Sequence, residues 1–216
     1  MSVHAQPASL RAQPATRLDA GAVAERRLAG LLLFALAAGF LTVIMLGASI
    51  APAYDYGAAA ISDLGVIPET ALLFNATLVA IGILDIGAGY LFYRSHRRAW
   101  ILGLFVLGGT GALGAGLFPL SRGDLHSLFA LLAFVFFNLQ ALAVASVIHG
   151  PMRWISALAG IVGLVYVVIM VIGDGGNPAV FGAIGHGGTE RMIAYPTMLW
   201  MVALGGYLMA GCPRPD

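Results

Sequence analysis

The sequence predicts an all-α integral membrane protein, a bundle of six transmembrane helices with both termini cytoplasmic. Three observations predict it. The first is composition: of 216 residues 60% are hydrophobic and only 10% charged, with a mean hydropathy of +0.91, whereas a soluble domain carries about 25% charge. The second is span length. Six apolar runs approach or exceed the roughly 20 residues that a helix needs to cross a bilayer, near 28–50, 72–93, 100–117, 125–148, 155–172 and 192–211. The runs are continuous rather than alternating with period two, which selects helices over a closed barrel. The third is the placement of arginine, which supplies every basic side chain apart from histidine. Arg11, Arg17, Arg26, Arg27, Arg94, Arg97, Arg98, Arg153 and Arg214 fall on one side of the predicted membrane, and only Arg122 and Arg191 on the other. Arginine-rich connections stay in the cytoplasm.

The same numbers exclude several classes of function. A water-soluble globule is excluded by hydropathy, and a disulfide scaffold by Cys212 being the only cysteine. A net charge of +1 argues for no nucleic-acid partner. A retinal Schiff base needs a lysine, and there is none.

Taken in order, residues 1–24 are rich in Ala, Gln, Pro and Arg without apolar periodicity and read as a disordered cytoplasmic tail, followed by a six-helix domain over 25–212. Arg26-Arg27 before an apolar run and Ala51-Pro52-Ala53 after it have the outline of a cleaved signal. The run is longer than a signal core of about 7–15 residues, so a retained first span is expected. The first outer loop holds Tyr54-Asp55-Tyr56 and Ile61-Ser62-Asp63-Leu64-Gly65, and Asn75 opens span two. Asp85 lies deep in that span, where a charge costs at least about 2.5–3.5 kcal/mol. At about 1.5 Å per residue, Asn138 in span four reaches nearly the same depth and Gln140 lies slightly further in. A neutral or hydrogen-bonded structural cluster is expected there rather than a proton relay, because no second intramembrane acid continues one.

Span three carries Gly108, Ala112 and Gly116 on one stripe, and span two Gly82 and Gly89. Such stripes let helix backbones approach closely, and packing within the bundle is the plainer reading than an oligomer interface. Phe134, Phe136 and Phe137 in span four read as packing or lipid-facing bulk. Trp100 and Trp154 fall at inner boundaries as interfacial anchors. The second outer loop has seven glycines between 173 and 189. It lacks the strand-turn-helix setting of a phosphate cradle and reads as a flexible lid, with Thr189 capping span six.

The polar residues at the outer end form the candidate ligand site: Asp63, Asn75, His126, Glu190, Arg191 and Tyr195. Asp63, His126, Glu190 and Arg191 are expected to converge near the outer ends of spans two, four and six. A carboxylate, an imidazole and a guanidinium together would orient a polar headgroup, with Arg191 gripping an anionic group or pairing with Asp63, and His126 available as a base near neutral pH. His126, His186, Asp63 and Glu190 could supply metal ligands, but no short His or Cys spacing supports a metal, and no metal or cofactor is assigned.

Tyr54-Asp55 with Ile61-Ser62-Asp63-Leu64-Gly65 and Phe74-Asn75, then Gly116-Leu117-Phe118-Pro119 followed by His126, then Gly188-Thr189-Glu190-Arg191 followed by Pro196 and Trp200, together resemble the bacterial and archaeal membrane family catalogued as domain of unknown function 998. The resemblance covers about residues 30–210. It implies a multipass membrane protein and no established activity, cofactor or substrate. Three readings of function follow: a protein of the cytoplasmic (inner) membrane with an outward-facing site for a small polar ligand or lipid headgroup, enzyme or not; an accessory subunit of a larger membrane complex, with other membrane subunits as partners; and, with least support, a transporter. Membrane lipids are the expected partners, and nucleic acid is not.

Overall fold

A computed structural model describes residues 17–210, with side chains from residue 20 onward. Residues 1–16, Cys212 and Arg214, on which parts of the sequence reading rest, lie outside the described residues. Six long helices follow in order: α1 (Arg17–Ile50), α2 (Ala71–His96), α3 (Ala99–Leu117), α4 (Asp124–Ala145), α5 (Pro151–Asp174) and α6 (Gly185–Ala210). All six carry windows long and apolar enough to cross a membrane, and no strand occurs among the described residues. The protein is a multipass membrane protein.

Two boundaries differ from expectation. Helix α1 begins at Arg17, so residues 17–24, read as disordered tail, are helical. The glycine-rich segment is largely helical too: α5 runs to Asp174, a 3₁₀ segment covers Pro178–Ile184, and α6 starts at Gly185. Apolar periodicity could not reveal helix where glycine replaces the apolar residues.

Each helix packs on its neighbours in sequence, and α6 closes the ring against α1. Short links at one end, such as Arg97-Arg98 between α2 and α3, force antiparallel neighbours. Lipid supplies no hydrophobic drive between helices, so close backbone approach has to do it. A Cβ on Gly82 would stand 2.4 Å from the carbonyl oxygen of Gly109, and one on Gly109 would stand 2.7 Å from that of Gly82, so α2 and α3 cross at bare backbone. Gly30 and Gly205 make the same contact between α1 and α6, at 2.6 Å each way. The stripe in α3 also turns inward: Gly108 faces Gln140 of α4, Gly116 faces Asn75 of α2, and Ala112 is buried. Intrabundle packing accounts for all three. The outer surface is apolar, with Leu72, Met45, Leu158 and Trp154 among its exposed side chains, and meets membrane lipid.

At mid-bundle, Gln140 donates through Nε2 to Asp85 Oδ2 at 2.9 Å and to the Leu104 carbonyl at 3.2 Å. Both side chains are fully buried. Asn138 is not part of this pair. It donates to the carbonyls of Phe134 (2.8 Å) and Ile193 (3.2 Å), and accepts from the Thr197 hydroxyl. Two residues along a helix are separated by about 200°, so Gln140 faces α2 and α3 while Asn138 faces α5 and α6. Helix α5 makes room for Asn138 at Gly163, where a Cβ would fall 1.8 Å from Oδ1.

Candidate functional site

The end of the bundle opposite the described termini is built around the Ile61–Gly65 3₁₀ turn. Its sequence, apolar at Ile61 and Leu64 with Asp63 between, folds back onto the helices, and Ile61 and Leu64 are buried. Asp63 Oδ2 accepts the Ala60 N–H at 2.8 Å, capping the turn from within. Glu190 caps it from outside: its Oε2 accepts the Ile61 N–H. A carboxylate at the amide end of a turn meets unpaired donors and a favourable dipole. Glu190 is 5% exposed and anchors the turn to α6. Asn75 holds the other end, donating to the Gly65 carbonyl at 2.8 Å.

Arg191 does something the sequence reading did not anticipate. Nη1 donates to the carbonyls of Tyr56 (2.9 Å), Ala59 (3.0 Å) and Gly187 (2.7 Å), and Nη2 to the Tyr54 hydroxyl at 2.7 Å. Its guanidinium carbon lies over the rings of Tyr54 and Tyr56, 5.6 and 4.7 Å from their centroids, an arrangement that adds cation–π attraction. Tyr195 sits one turn further along α6, on the side of Arg191. Arg191 therefore straps loop 54–59 to α6. No ion pair joins it to Asp63 among the described residues; both Nη groups are taken by protein acceptors, and Nε alone is left without a partner. The Tyr54 hydroxyl also donates to the Ala60 carbonyl at 2.7 Å, and burial pushes it up to about 12, against the pull of Arg191.

The glycines of α6 belong to this strap. Gly187 N–H donates to the Gly57 carbonyl at 3.0 Å, and a Cβ on Gly187 would lie 2.1 Å from the Ala59 carbonyl oxygen. Close approach, rather than lid flexibility, requires glycine here. Thr189 lies inside the helix, its hydroxyl donating to the Gly185 carbonyl at 2.9 Å, and does not cap it. His186 pairs with Asp174 at 3.2 Å. Among the described residues no three His, Cys, Asp or Glu side chains gather as metal ligands.

His126 stands apart from all of these. It is 3% exposed. Its Nδ1 lies 2.8 Å from the Phe118 carbonyl, an acceptor only, so Nδ1 carries a proton, and in a neutral imidazole Nε2 would present a lone pair. That Nε2 has no partner among the described residues. Two cavities meet at it. An outer vestibule of about 490 Å³ lies between α4, α5 and the first loop, with Asp63, Asp174 and His186 in its wall. An inner chamber of about 60 Å³ lies between α2, α3, α4 and α6, walled by Phe74, Ile81, Ala115, Phe137 and Ile193 and reaching Asn138 and Thr197. Ser62, His126, Ala130, Phe134 and Glu190 line both and form the neck between them.

Asp63, His126 and Glu190 thus share one cavity wall, whereas Arg191, Asn75 and Tyr195 line neither cavity. Ser62 enters the site without having been singled out, since nothing in its sequence context separates its side chain from that of Asp63.

A family model described as a protein of unknown function (DUF998) matches residues 34–207. The chain belongs to this family. The matched span of this DUF998 protein contains the strap and the neck whole. No curated protein and no solved structure matches the chain.

Proposed function

We propose that this DUF998 protein binds a small polar ligand or lipid headgroup at the neck, in a site that opens to the outer side of the cytoplasmic membrane. One observation carries the reading: a buried imidazole whose Nε2 has no protein partner borders two cavities at once. A buried acceptor without a donor costs about 1–3 kcal/mol, and few native groups bear that cost without a purpose. Asp63 and Glu190 stand in the same wall, and their backbone partners hold the Ile61–Gly65 turn in place, which keeps the neck's shape. The arginine asymmetry supports the outward orientation.

Extraction into native-lipid nanodiscs tests the binding. Wild-type protein should retain a species enriched over the surrounding lipid, and His126→Ala, checked for an unchanged melting temperature, should lose it. Identical ligand complements in both would overturn the reading, and stoichiometric copurifying subunits in its place would favour the accessory role. Orientation is tested by Val180→Cys with Cys212→Ser: an impermeant thiol reagent should label it from outside intact cells.

A further inference from the structure

We infer that the ligand of the neck is an amphiphile with an uncharged or cationic hydrogen-bond-donating head, a hydroxyl or an amine, and one short alkyl tail that enters the inner chamber. The inference rests on the ligand-binding reading above and adds the chemical class.

The head follows from the neck's polar inventory. The Phe118 carbonyl holds a proton on Nδ1, and His126 Nε2, the ring atom without a partner, carries a lone pair in the neutral imidazole. Glu190 and Asp63 add carboxylates, and the vestibule adds Asp174 against a single His186 already paired with it. Ser62 contributes the one side-chain hydroxyl of the neck proper. The nearby guanidinium of Arg191 spends both Nη groups on Tyr54, Tyr56, Ala59 and Gly187. A phosphate or carboxylate head would meet acceptors and acidic side chains, a costly burial, with no arginine in either lining: Arg191, whose Nε alone lacks a partner, lines neither cavity. A donor head meets the acceptor that lacks a donor.

The tail follows from the chamber. Beyond the neck its walls are Phe40, Phe74, Leu78, Ile81 and Phe137 with small Ala112 and Ala115. The polar groups at its far end are satisfied among themselves, since Asn138 exchanges hydrogen bonds with Phe134, Ile193 and Thr197. The chamber therefore offers an incoming group apolar contact and little else. An engineered cavity of about 150 Å³ takes a benzene ring; a chamber of about 60 Å³ takes the end of a single alkyl chain before it takes a ring system.

Purified protein in nanodiscs, titrated at neutral pH with monobutyrylglycerol, butylamine, butyric acid, butyl phosphate and cholesterol, tests this by native mass spectrometry. Monobutyrylglycerol or butylamine should bind one to one, at least tenfold more tightly than the two anionic probes and cholesterol, and the stronger of the two tells hydroxyl from amine. Ala130→Phe, which fills the neck one turn along α4 from His126, should abolish binding, as should His126→Ala. Tighter binding of an anionic probe, dependent on His126, would overturn the donor head while leaving a ligand site. Equal binding of cholesterol would overturn the single chain. No binding of any probe by the wild-type protein would overturn the amphiphile, and an unaltered native ligand complement in His126→Ala nanodiscs would take the site with it.

Discussion

Two buried polar clusters interrupt this apolar bundle, and they are built on different terms. At mid-bundle, Asp85 and Gln140 pair with each other and with the Leu104 carbonyl. Asp85 Oδ1 and Gln140 Oε1 are left without donors, yet neither residue borders the chamber or the vestibule. At the loop end, Ser62, His126 and Glu190 stand where the two cavities join. Both clusters hold an unpartnered buried atom. Only at the neck does a residue holding such an atom line a cavity. Burial of polarity therefore marks cost, and burial beside space marks a site. The mid-bundle pair reads as helix registration, since its hydrogen bonds tie α4 to α2 and α3 and reward one alignment of the three.

The largest expected effect lies in the strap that encloses the neck. Arg191→Leu removes four charge-assisted hydrogen bonds and leaves three carbonyls and a tyrosine hydroxyl short of a donor. Hydrogen bonds to charged groups contribute about 1.5–3 kcal/mol each before compensation, so a loss of at least about 3 kcal/mol is expected, read as a lowered melting temperature. Arg191→Lys should not rescue it, because one ammonium cannot reproduce the planar fork. Retention of wild-type stability in Arg191→Leu would break the distinction between strap and neck.

Next comes the floor shared by the chamber and the bundle. Gly163→Ala drives a Cβ into the Asn138 amide and should cost about 1–3 kcal/mol. Gly103→Ala, with nothing within 4 Å of the added Cβ, should be neutral or slightly stabilising, since alanine is the better helix former. Equal effects at the two positions would show that Asn138 moves aside freely.

Asp85 sharpens the contrast with His126. Asp85→Asn keeps an acceptor for Gln140 Nε2 and removes an ionisable group from the bundle interior, so a stability change under about 1 kcal/mol is expected. Asp85→Leu strands Gln140 and should cost about 1–3 kcal/mol. Neither should alter ligand retention, whereas His126→Ala should alter retention far more than stability. Loss of ligand in Asp85→Asn with the fold intact would join the two clusters functionally.

The smallest effect is the alkaline behaviour of the strap. Tyr54 ionises near 10 in an unfolded chain and is pushed up to about 12 in the fold. A raised acid contributes its full stability below the unfolded value and loses it as pH rises through the folded one. The strap should therefore stay intact up to about pH 10 and loosen between about 10 and 12, read by tyrosinate absorbance in wild type against Tyr54→Phe. Ionisation of Tyr54 at its ordinary value would mean that the hydroxyl is solvated.

The fold was largely legible because length and hydropathy leave helices little alternative in lipid. Helix starts were less so: Arg17 and Gly185 open helices where polar or glycine-rich sequence hides them. Within the site, Asp63, His126 and Glu190 could be named because ionisable residues are scarce in such a chain. Their roles could not. Arg191 binds four partners from residues 54 to 59 and 187, and three of these are backbone carbonyls, which every residue type presents alike. The pairing of Asp85 with Gln140 rather than Asn138 was within reach, since depth leaves both open and helical phase separates them. Ser62 and Thr197 acquire meaning only from the packing of α6 against the first loop and α4, which no local pattern encodes.

The central claim is that the neck is a ligand site and the mid-bundle pair is not. A density map of the protein in native-lipid nanodiscs tests it most directly. Elongated density with its head within hydrogen-bonding distance of His126 Nε2 and its tail among Phe74, Ile81 and Phe137 is the predicted result. A neck closed by protein side chains, with ordered density instead at Asp85 and Gln140, would contradict it.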